Sequence, residues 1–203
     1  MANNSYKKPD FWSQKAFSEG YPARSVYKLQ EMDKKFGLIR PGLRILDLGA
    51  APGSWTTYLL RTLGDNGMVT AVDLSPLDTS VIAPNLAFYQ GDLYAPAVRD
   101  AVGARGPFDL VVCDAAPATT GNRTLDTTRS EALAELALFY AEEFLNQQGN
   151  FVVKIFQGGG EQALLKRMRT LFKTARGFKP EACRTSSFET YLVGLEYKKN
   201  TKK

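Results

Sequence analysis

A glycine-rich turn with a carboxylate in front of it is the part of this sequence best suited to bind a ligand. The turn reads Asp47-Leu48-Gly49-Ala50-Ala51-Pro52-Gly53-Ser54-Trp55. An apolar run precedes it and helix-forming residues follow it, so we predict the strand–turn–helix corner at which doubly wound sheets bind nucleotide-like ligands. Because Pro52 lacks an amide hydrogen and Asp47 is negatively charged, the turn is poorly suited to a phosphate. It also lacks the Gly-x-Gly-x-x-Gly pattern of dinucleotide-binding folds.

Three further aspartates follow predicted strands and join Asp47 at the same edge of the expected sheet. They are Asp73, Asp92 and Asp114. Asp73 lies 26 positions after Asp47, where a nucleotide-binding fold carries the acid that binds the ribose. A cleft lined by carboxylates favours a ligand with hydroxyl groups, an amine and a positive centre, and S-adenosylmethionine has all three. Each aspartate alone could be an ordinary turn or cap residue, but four aligned with Gly49 and its turn favour a cofactor cleft.

Lys154 interrupts an otherwise apolar predicted strand, 151–156. A central parallel strand is buried on both faces, and an isolated ammonium there costs on the order of several kcal/mol. Lys154 must therefore be paired, carry a lowered pKa or face a cleft, and Asp114 at the end of the neighbouring strand is the expected partner. Since the chain has no histidine, a lysine is also the natural proton acceptor. The alternative is a lysine that reaches solvent from an edge strand.

The elements that must position these residues alternate along the chain without an internal repeat. Predicted strands cover 43–48, 68–73, 86–90, 108–114, 151–156, 178–183 and 190–197. Predicted helices cover 25–35, 54–63, 95–103, 127–147 and 162–174, and a polar loop covers 115–126. This alternation predicts an α/β, Rossmann-like fold with a mostly parallel sheet and helices on both faces. The last two strands, joined by a short loop, predict an antiparallel hairpin at one edge.

Length and composition indicate one globular domain. The chain has 203 residues, of which 44% are hydrophobic, which favours one domain with a substantial core. We expect a basic N-terminal region (1–40), a catalytic core (41–197) and a basic tail (198–203). Because no apolar run reaches the length of a membrane span and the first residues form no signal region, we expect a cytoplasmic protein without a membrane partner. Cys113 and Cys183 lack paired spacing and are expected to be small buried residues, so no metal site is predicted.

The charge is distributed unevenly along the chain. Lys and Arg number 9 against 4 Asp and Glu over residues 1–44, 5 against 13 over 45–153, and 12 against 4 over 154–203. An acidic middle suits a cationic cofactor, and basic ends suit a polyanion. Aromatic and basic residues alternate over 6–12 and 24–28, as in surfaces that combine phosphate contacts with base stacking. The alternative for each segment is a solvated helix face. The expected RNA contacts are Lys7, Lys8, Arg24 and Lys28.

Four segments together resemble the FtsJ family of ribose 2′-O-methyltransferases. They are 24–29, 47–55, 114–117 and 151–158, and the resemblance extends from about Phe11 to Tyr197. It implies the fold of S-adenosylmethionine-dependent methyltransferases and methyl transfer to the 2′-hydroxyl of a ribose in RNA. The expected substrate is a uridine of 23S ribosomal RNA in the large ribosomal subunit, modified by a monomeric enzyme. Transfer RNA or a messenger cap is the alternative substrate.

The resemblance also implies roles for individual residues. The family's Lys-Asp-Lys-Glu tetrad falls on Lys28, Asp114, Lys154 and Glu189. Its cofactor-contacting positions fall on Gly53, Trp55, Asp73, Asp92 and again Asp114. Ala118 stands where family members often carry Asn. Neutral Lys154 would accept the proton of the 2′-hydroxyl, whereas protonated Lys154 would stabilise the developing alkoxide, and the sequence leaves both alternatives open.

Two other classes of protein share the expected fold. One is a nicotinamide-dependent oxidoreductase, because fold alone does not determine function. The altered glycine turn and the acidic cleft count against this class. The other is a non-catalytic RNA-binding or ribosome-assembly factor, and an intact tetrad disfavours it.

Overall fold

A computed structural model describes residues 10–183 and 187–198 of the chain. Two predicted RNA contacts, Lys7 and Lys8, lie outside the described residues, as does the tail from residue 199 onward. In the described part, none of the helices is long and apolar enough to cross a membrane. The same residues contain no group of three or more His, Cys, Asp or Glu side chains that could hold a metal ion.

Helices and strands alternate through the described chain. In order they are α1 (Phe11–Ser18), α2 (Val26–Phe36), β1 (Arg44–Leu48), α3 (Ser54–Leu63), β2 (Met68–Asp73), β3 (Leu86–Gln90), α4 (Pro96–Gly103), β4 (Phe108–Cys113), α5 (Arg123–Phe144), β5 (Leu145–Phe156), α6 (Glu161–Leu171), β6 (Phe172–Phe178) and β7 (Glu189–Tyr197).

The seven strands form one sheet in the order β3-β2-β1-β4-β5-β7-β6. Strands β1 to β5 pair in parallel, and β7 runs antiparallel to both β5 and β6. This topology confirms the predicted Rossmann-like fold and the antiparallel hairpin at its edge. One expectation needs correction, because Lys154 does not lie in a strand with parallel neighbours on both sides. Its strand β5 is parallel to β4 and antiparallel to β7.

Each face of the sheet is covered by helices, as predicted. Side chains of α4, α5 and α6 pack on one face, whereas α2 and α3 pack on the other. Strand side chains alternate between the two faces: Phe151 and Val153 of β5 join the first cluster, and Val152 joins the second. Lys154 has the same parity as Val152 and therefore points toward the face covered by α2 and α3.

Several predictions for individual elements were wrong. Helix α1 lies in a region for which no helix was predicted, and α5 begins at residue 123 rather than 127, after the side chain of Asn122 caps it by accepting from the amide of Leu125. The predicted strand 178–183 is wrong, because the edge strand is Phe172–Phe178. Phe172 is buried and stacks on Phe151 at 6.1 Å. This tertiary contact ends α6 and overrides the local helical pattern that predicted a helix to residue 174.

The turn at Gly49, which follows β1, packs closely against the end of β4 and is hydrogen-bonded to β2. Gly49 follows β1 with a φ of +74°, and its amide donates to the carbonyl of Val72 at 2.9 Å. A Cβ atom at this position would lie 2.5 Å from the backbone of Ala115, which follows β4. Only glycine allows both this φ and this close approach.

We expect Gly49→Ala to destabilise the protein by more than about 3 kcal/mol, because steric overlap with backbone atoms adds to the strain of a positive φ. Gly37→Ala is the matched control. Gly37 also has a positive φ, +63°, but no atom lies within 4 Å of its Cβ position, so about 1 kcal/mol is expected. Urea denaturation of both variants measures the difference, and equal losses would contradict the close approach of Gly49 and Ala115.

Candidate active site

An open cleft of about 230 Å³ lies at the carboxyl ends of the central strands. It is lined by Gly49, Asp73, Leu74, Gly91, Asp92, Leu93, Ala115, Ala116, Pro117, Ala118 and Leu133. Three of the predicted cofactor positions, Gly49, Asp73 and Asp92, are therefore at its surface. Ala118, the residue that departs from the family pattern, lines it as well.

Backbone amides orient the two carboxylates of the cleft. Asp73 accepts hydrogen bonds from the amides of Ala51 at 2.9 Å and Ser75 at 2.8 Å. Asp92 accepts from the amide of Tyr94 at 3.0 Å. Each carboxylate has acceptor capacity left for a ligand. Together with the apolar walls, this arrangement can bind the hydroxyl and amino groups of a nucleoside and cover its rings.

Asp47 lies beneath the turn rather than at the cleft surface. Its side chain is fully buried and accepts from the hydroxyl of Thr56 at 2.7 Å, while Oδ1 has no hydrogen-bond partner in the described structure. Burial raises the pKa of Asp47 to about 7, and the negative charges of Asp114 and Asp73 act in the same direction. A carboxyl group so placed holds its proton more tightly than an exposed one does.

Two more of the predicted cofactor positions, Trp55 and Gly53, also lie away from the surface of the cleft. Trp55 is 2% exposed, and its indole N–H donates to the carbonyl of Ser25 at 2.9 Å. Gly53 has a φ of +111°, and a Cβ there would lie 2.8 Å from Val81. In this structure, Trp55 anchors the segment that leads into α2, and Gly53 lets the loop after β2 pack on the turn.

The four tetrad residues come from four different elements and form two close ion pairs. Lys154 Nζ, from β5, donates to the carbonyl of Asp114 at 2.5 Å and lies 3.1 Å from its Oδ1. Lys28 Nζ, from α2, donates to Glu189 Oε2 at 2.6 Å. Lys154 is 5% exposed, so the predicted pairing of this buried lysine with Asp114 is observed.

Electrostatic interactions connect the two pairs. Burial lowers the pKa of Lys28, but the carboxylates of Asp114 and Glu189 raise it, and the net shift is upward. Lys28 is therefore held as an ammonium. Asp114 also immediately precedes Ala115, the first of the cleft residues after β4. The cleft and the tetrad consequently meet at the end of β4, where Asp114 and Ala115 are neighbours in the chain.

Tyr191 is a site residue that the sequence reasoning missed. Its hydroxyl donates to Asp114 Oδ1 at 2.7 Å, and its ring lies 5.9 Å from that of Trp55 and 6.0 Å from Lys28 Nζ. Burial and the nearby carboxylates raise the pKa of Tyr191 well above its usual value, so it remains a neutral donor. The signal was a tyrosine two positions after Glu189 in a buried strand, because a buried hydroxyl needs a partner.

Arg24, a predicted RNA contact, connects two segments of the protein, and its contact with RNA stays a prediction. The guanidinium of Arg24 donates to Asp10 and to the carbonyl of Ala182, the latter at 2.8 Å. Cys113 and Cys183 are free and buried, as expected. Burial raises the pKa of the Cys113 thiol to about 12, which leaves it unreactive.

Comparison with known proteins identifies close relatives. The profile of the FtsJ-like methyltransferases matches residues 21–197. Ribosomal RNA large subunit methyltransferase E of Treponema denticola is 63% identical over 98% of this chain and 100% of its own length. The protein of the same name from Oleidesulfovibrio alaskensis is 46% identical, over 93% of this chain and 92% of its own.

Solved structures agree with this comparison. A crystal structure of a ribosomal RNA methyltransferase from Plasmodium falciparum is 26% identical, with a TM-score of 0.74, over 87% of this chain and 98% of that chain. Human methyltransferase-like protein 13 in complex with SAH has the same fold, with a TM-score of 0.61 and 15% identity, over 86% of this chain and 84% of that chain.

The buried carboxyl of Asp47 predicts a pH dependence of stability. Its pKa is raised in the folded state, so the folded protein binds this proton more tightly than the unfolded chain does. The contribution of this proton to the free energy of unfolding is fully present below the unfolded pKa of 3.8 and is lost as the pH rises to about 7. The loss is on the order of 4 kcal/mol. We expect Asp47→Asn to remove this loss, as measured by chemical denaturation at about pH 5 and pH 8.

Asp78→Asn is the control for this measurement. Asp78 is exposed, and hydrogen bonds from Ser80 lower its pKa, so its replacement leaves the pH dependence above pH 5 unchanged. Parallel pH curves for the wild type and Asp47→Asn would show that Asp47 does not titrate in this range.

Proposed function

Because the chain belongs to the FtsJ-like methyltransferase family, we propose that it transfers a methyl group from S-adenosylmethionine to the 2′-hydroxyl of a ribose in ribosomal RNA. The observation that carries this proposal is the buried Lys154–Asp114 pair at the border of the cleft. We infer that this lysine acts on the substrate hydroxyl as the hydroxyl loses its proton. The alternatives of an oxidoreductase and a non-catalytic factor explain neither the pair nor its place.

The residues of the cleft fit the proposed cofactor. Asp73 offers acceptors for ribose hydroxyls, Asp92 offers an acceptor for an amino group, and Leu74 and Leu93 provide apolar walls. Gly49 lets the turn pack directly against the backbone of Ala115, which also lines the cleft. When bound, S-adenosylmethionine supplies a methyl group attached to a positively charged sulfur. The acidic rim of the cleft favours such a cation over an anionic dinucleotide.

The tetrad activates the hydroxyl of the substrate. A ribose 2′-hydroxyl is a weak nucleophile at neutral pH and must lose its proton as it attacks. Lys154 either accepts this proton or stabilises the negative charge that develops on the oxygen. Asp114 fixes the position of Lys154 through two contacts, and Glu189 does the same for Lys28. This fixed geometry lowers the barrier by holding the reacting groups in place.

The substrate proposed is a uridine of 23S ribosomal RNA in the large ribosomal subunit. Support comes from the relatives named ribosomal RNA large subunit methyltransferase E and from the basic charge of residues 1–44 and 154–203. The enzyme would act in the cytoplasm as a monomer, since one chain supplies all four tetrad residues. We propose a single domain over 1–203, because Leu29 and Met32 of α2 pack in the same cluster as Ile45 of β1.

A methyl-transfer assay tests the proposed function. Large ribosomal subunits from cells that lack this protein are incubated with the purified protein and labelled S-adenosylmethionine, and the labelled ribose is mapped. Label on a 2′-oxygen of a 23S uridine is expected. Label on transfer RNA instead would change the substrate, and no label on any RNA would refute the enzymatic proposal.

We expect Lys154→Ala to lower the rate of methyl transfer by about 10²- to 10⁴-fold, the range for loss of a general acid or base. The variant should fold, because Asp114 keeps the hydrogen bond from Tyr191, and it should bind S-adenosylmethionine normally in calorimetry. Lys173→Ala is the matched control, since Lys173 pairs with Glu196 at the exposed edge strand. Full activity of a folded Lys154→Ala variant would remove Lys154 from the mechanism.

RNA affinity should depend strongly on salt, because lysines and arginines that contact phosphates release bound counterions. The logarithm of the affinity should fall by about 0.7 to 0.9 per phosphate contact for each tenfold rise in salt concentration. Filter binding across a salt series measures this slope, and the free energy of unfolding at each salt concentration serves as the control. A flat response would mean that the basic ends of the chain do not contact RNA.

A further inference from the structure

Helix α1 presents large aromatic side chains to solvent. Phe11 is 71% exposed, Phe17 is 54% exposed and Trp12 is 38% exposed, whereas Ala16 is the buried residue of this helix. Exposed aromatic groups of this size on one short helix mark an interaction surface. The mechanism described above uses none of them.

Three aromatic rings in this region contact one another, and a lysine ammonium lies over two of them. Phe11 packs edge-on against Trp12 with ring centroids 5.7 Å apart, and Trp12 lies 5.2 Å from the ring of Tyr27. Lys15 Nζ lies 5.6 Å from the centre of the Trp12 ring and 5.0 Å from that of Tyr27. Lys15 pairs only loosely with Glu19 at 3.8 Å, in an exposed pair that contributes little. Its ammonium is therefore available to an anionic partner.

Helix α1 is held in place at both ends. Asp10 caps its first turn by accepting from the amide of Ser13 at 2.8 Å and also binds Arg24. At the other end, Arg61 of α3 donates to the carbonyl groups of Glu19 and Gly20 at 2.9 and 3.0 Å. The aromatic surface is thus preorganised, so a ligand need not order it on binding.

This surface lies beside the tetrad. Tyr27, whose ring Trp12 contacts, immediately precedes Lys28 in α2. The hydroxyl of Tyr27 donates to Glu19 at 2.9 Å, which connects α2 to the end of α1. A strand of RNA with its target ribose at Lys28 and Lys154 therefore has neighbouring nucleotides within reach of Trp12.

We propose that Phe11 and Trp12 form a stacking platform for an unpaired base next to the target nucleotide, with Lys15 contacting its phosphate. The inference rests on the proposed function and adds the form of the substrate, which is single-stranded RNA at the site of modification. Bases stack on aromatic side chains irrespective of sequence. Charge favours this partner, since residues 10–44 contain seven Lys and Arg against four Asp and Glu.

Tryptophan fluorescence tests the platform directly, because the chain has two tryptophans and Trp55 is buried. The full chain is titrated with a short single-stranded RNA and with the duplex of the same sequence, without cofactor. Single-stranded RNA should quench the emission of Trp12, the duplex should quench it much less, and Trp12→Phe should abolish the quenching. No quenching by single-stranded RNA, or equal quenching by the duplex, would overturn the proposal and leave a protein or lipid partner for this surface.

The affinity for single-stranded RNA gives a second measurement. Trp12→Ala should weaken binding about 5- to 150-fold, the range for loss of one stacked base, whereas Trp12→Phe should restore most of it. The salt slope should not change, because no charge is removed. Phe139→Ala is the matched control, since Phe139 on α5 is 41% exposed and has the guanidinium of Arg99 5.1 Å from its ring.

An equal loss of affinity in Phe139→Ala and Trp12→Ala would overturn the proposal. The outcome is separate from that of the methyl-transfer assay, because both measurements here are made without S-adenosylmethionine. Methyl transfer without quenching would refute the platform alone. Quenching without methyl transfer to any RNA would refute the proposed function and retain the RNA-binding surface.

Discussion

The ion pair between Lys154 and Asp114 is the interaction on which the site depends. An ammonium inside a sheet is unfavourable unless its charge and hydrogens are matched, and Asp114 provides both a carboxylate at 3.1 Å and a carbonyl at 2.5 Å. Asp114 is itself fixed, because its amide donates to the carbonyl of Leu48 at 3.1 Å and its carboxylate accepts from Tyr191. The pair therefore connects β5, β4, β1 and β7. The cleft and the tetrad therefore keep fixed positions relative to each other.

The charges around this pair are balanced differently on its two sides. Toward α2, Lys28 and Glu189 form a second pair, so the tetrad contains two cations and two carboxylates. Toward the cleft, Asp73 and Asp92 are oriented by backbone amides and not by cations. This side consequently has an excess of negative charge. Burial is the main cause of the raised pKa of Asp47, and the charges of Asp114 and Asp73 add to it. This negative charge suits a cationic cofactor. The ordered ammonium of Lys154 beside it suits a neutral nucleophile.

The sequence predicts those parts of the site that depend on strand order and parity, and it misses those that depend on tertiary contacts. The turn at Gly49, the Rossmann-like sheet and the pairing of Lys154 with Asp114 follow from apolar runs and from the burial cost of a charge. Tyr191 was missed because nothing local shows that its hydroxyl reaches a carboxylate 77 positions away. The prediction placed strand β6 too late in the chain. Phe172, directly after α6, stacks on Phe151, and this contact is visible only in the folded sheet.

Register decides which face of the sheet Lys154 points to. Side chains alternate along a strand, so a slip of one residue would move Lys154 to the face covered by α5. The pairing of Val153 with Cys113 prevents this at the site end of the sheet. The irregularity of β5 lies at the other end, where Leu145 pairs with Phe108 but Asn150 pairs with Leu110. A bulge there absorbs the extra residues of β5, and the site end of the strand keeps the parity that directs its lysine toward α2.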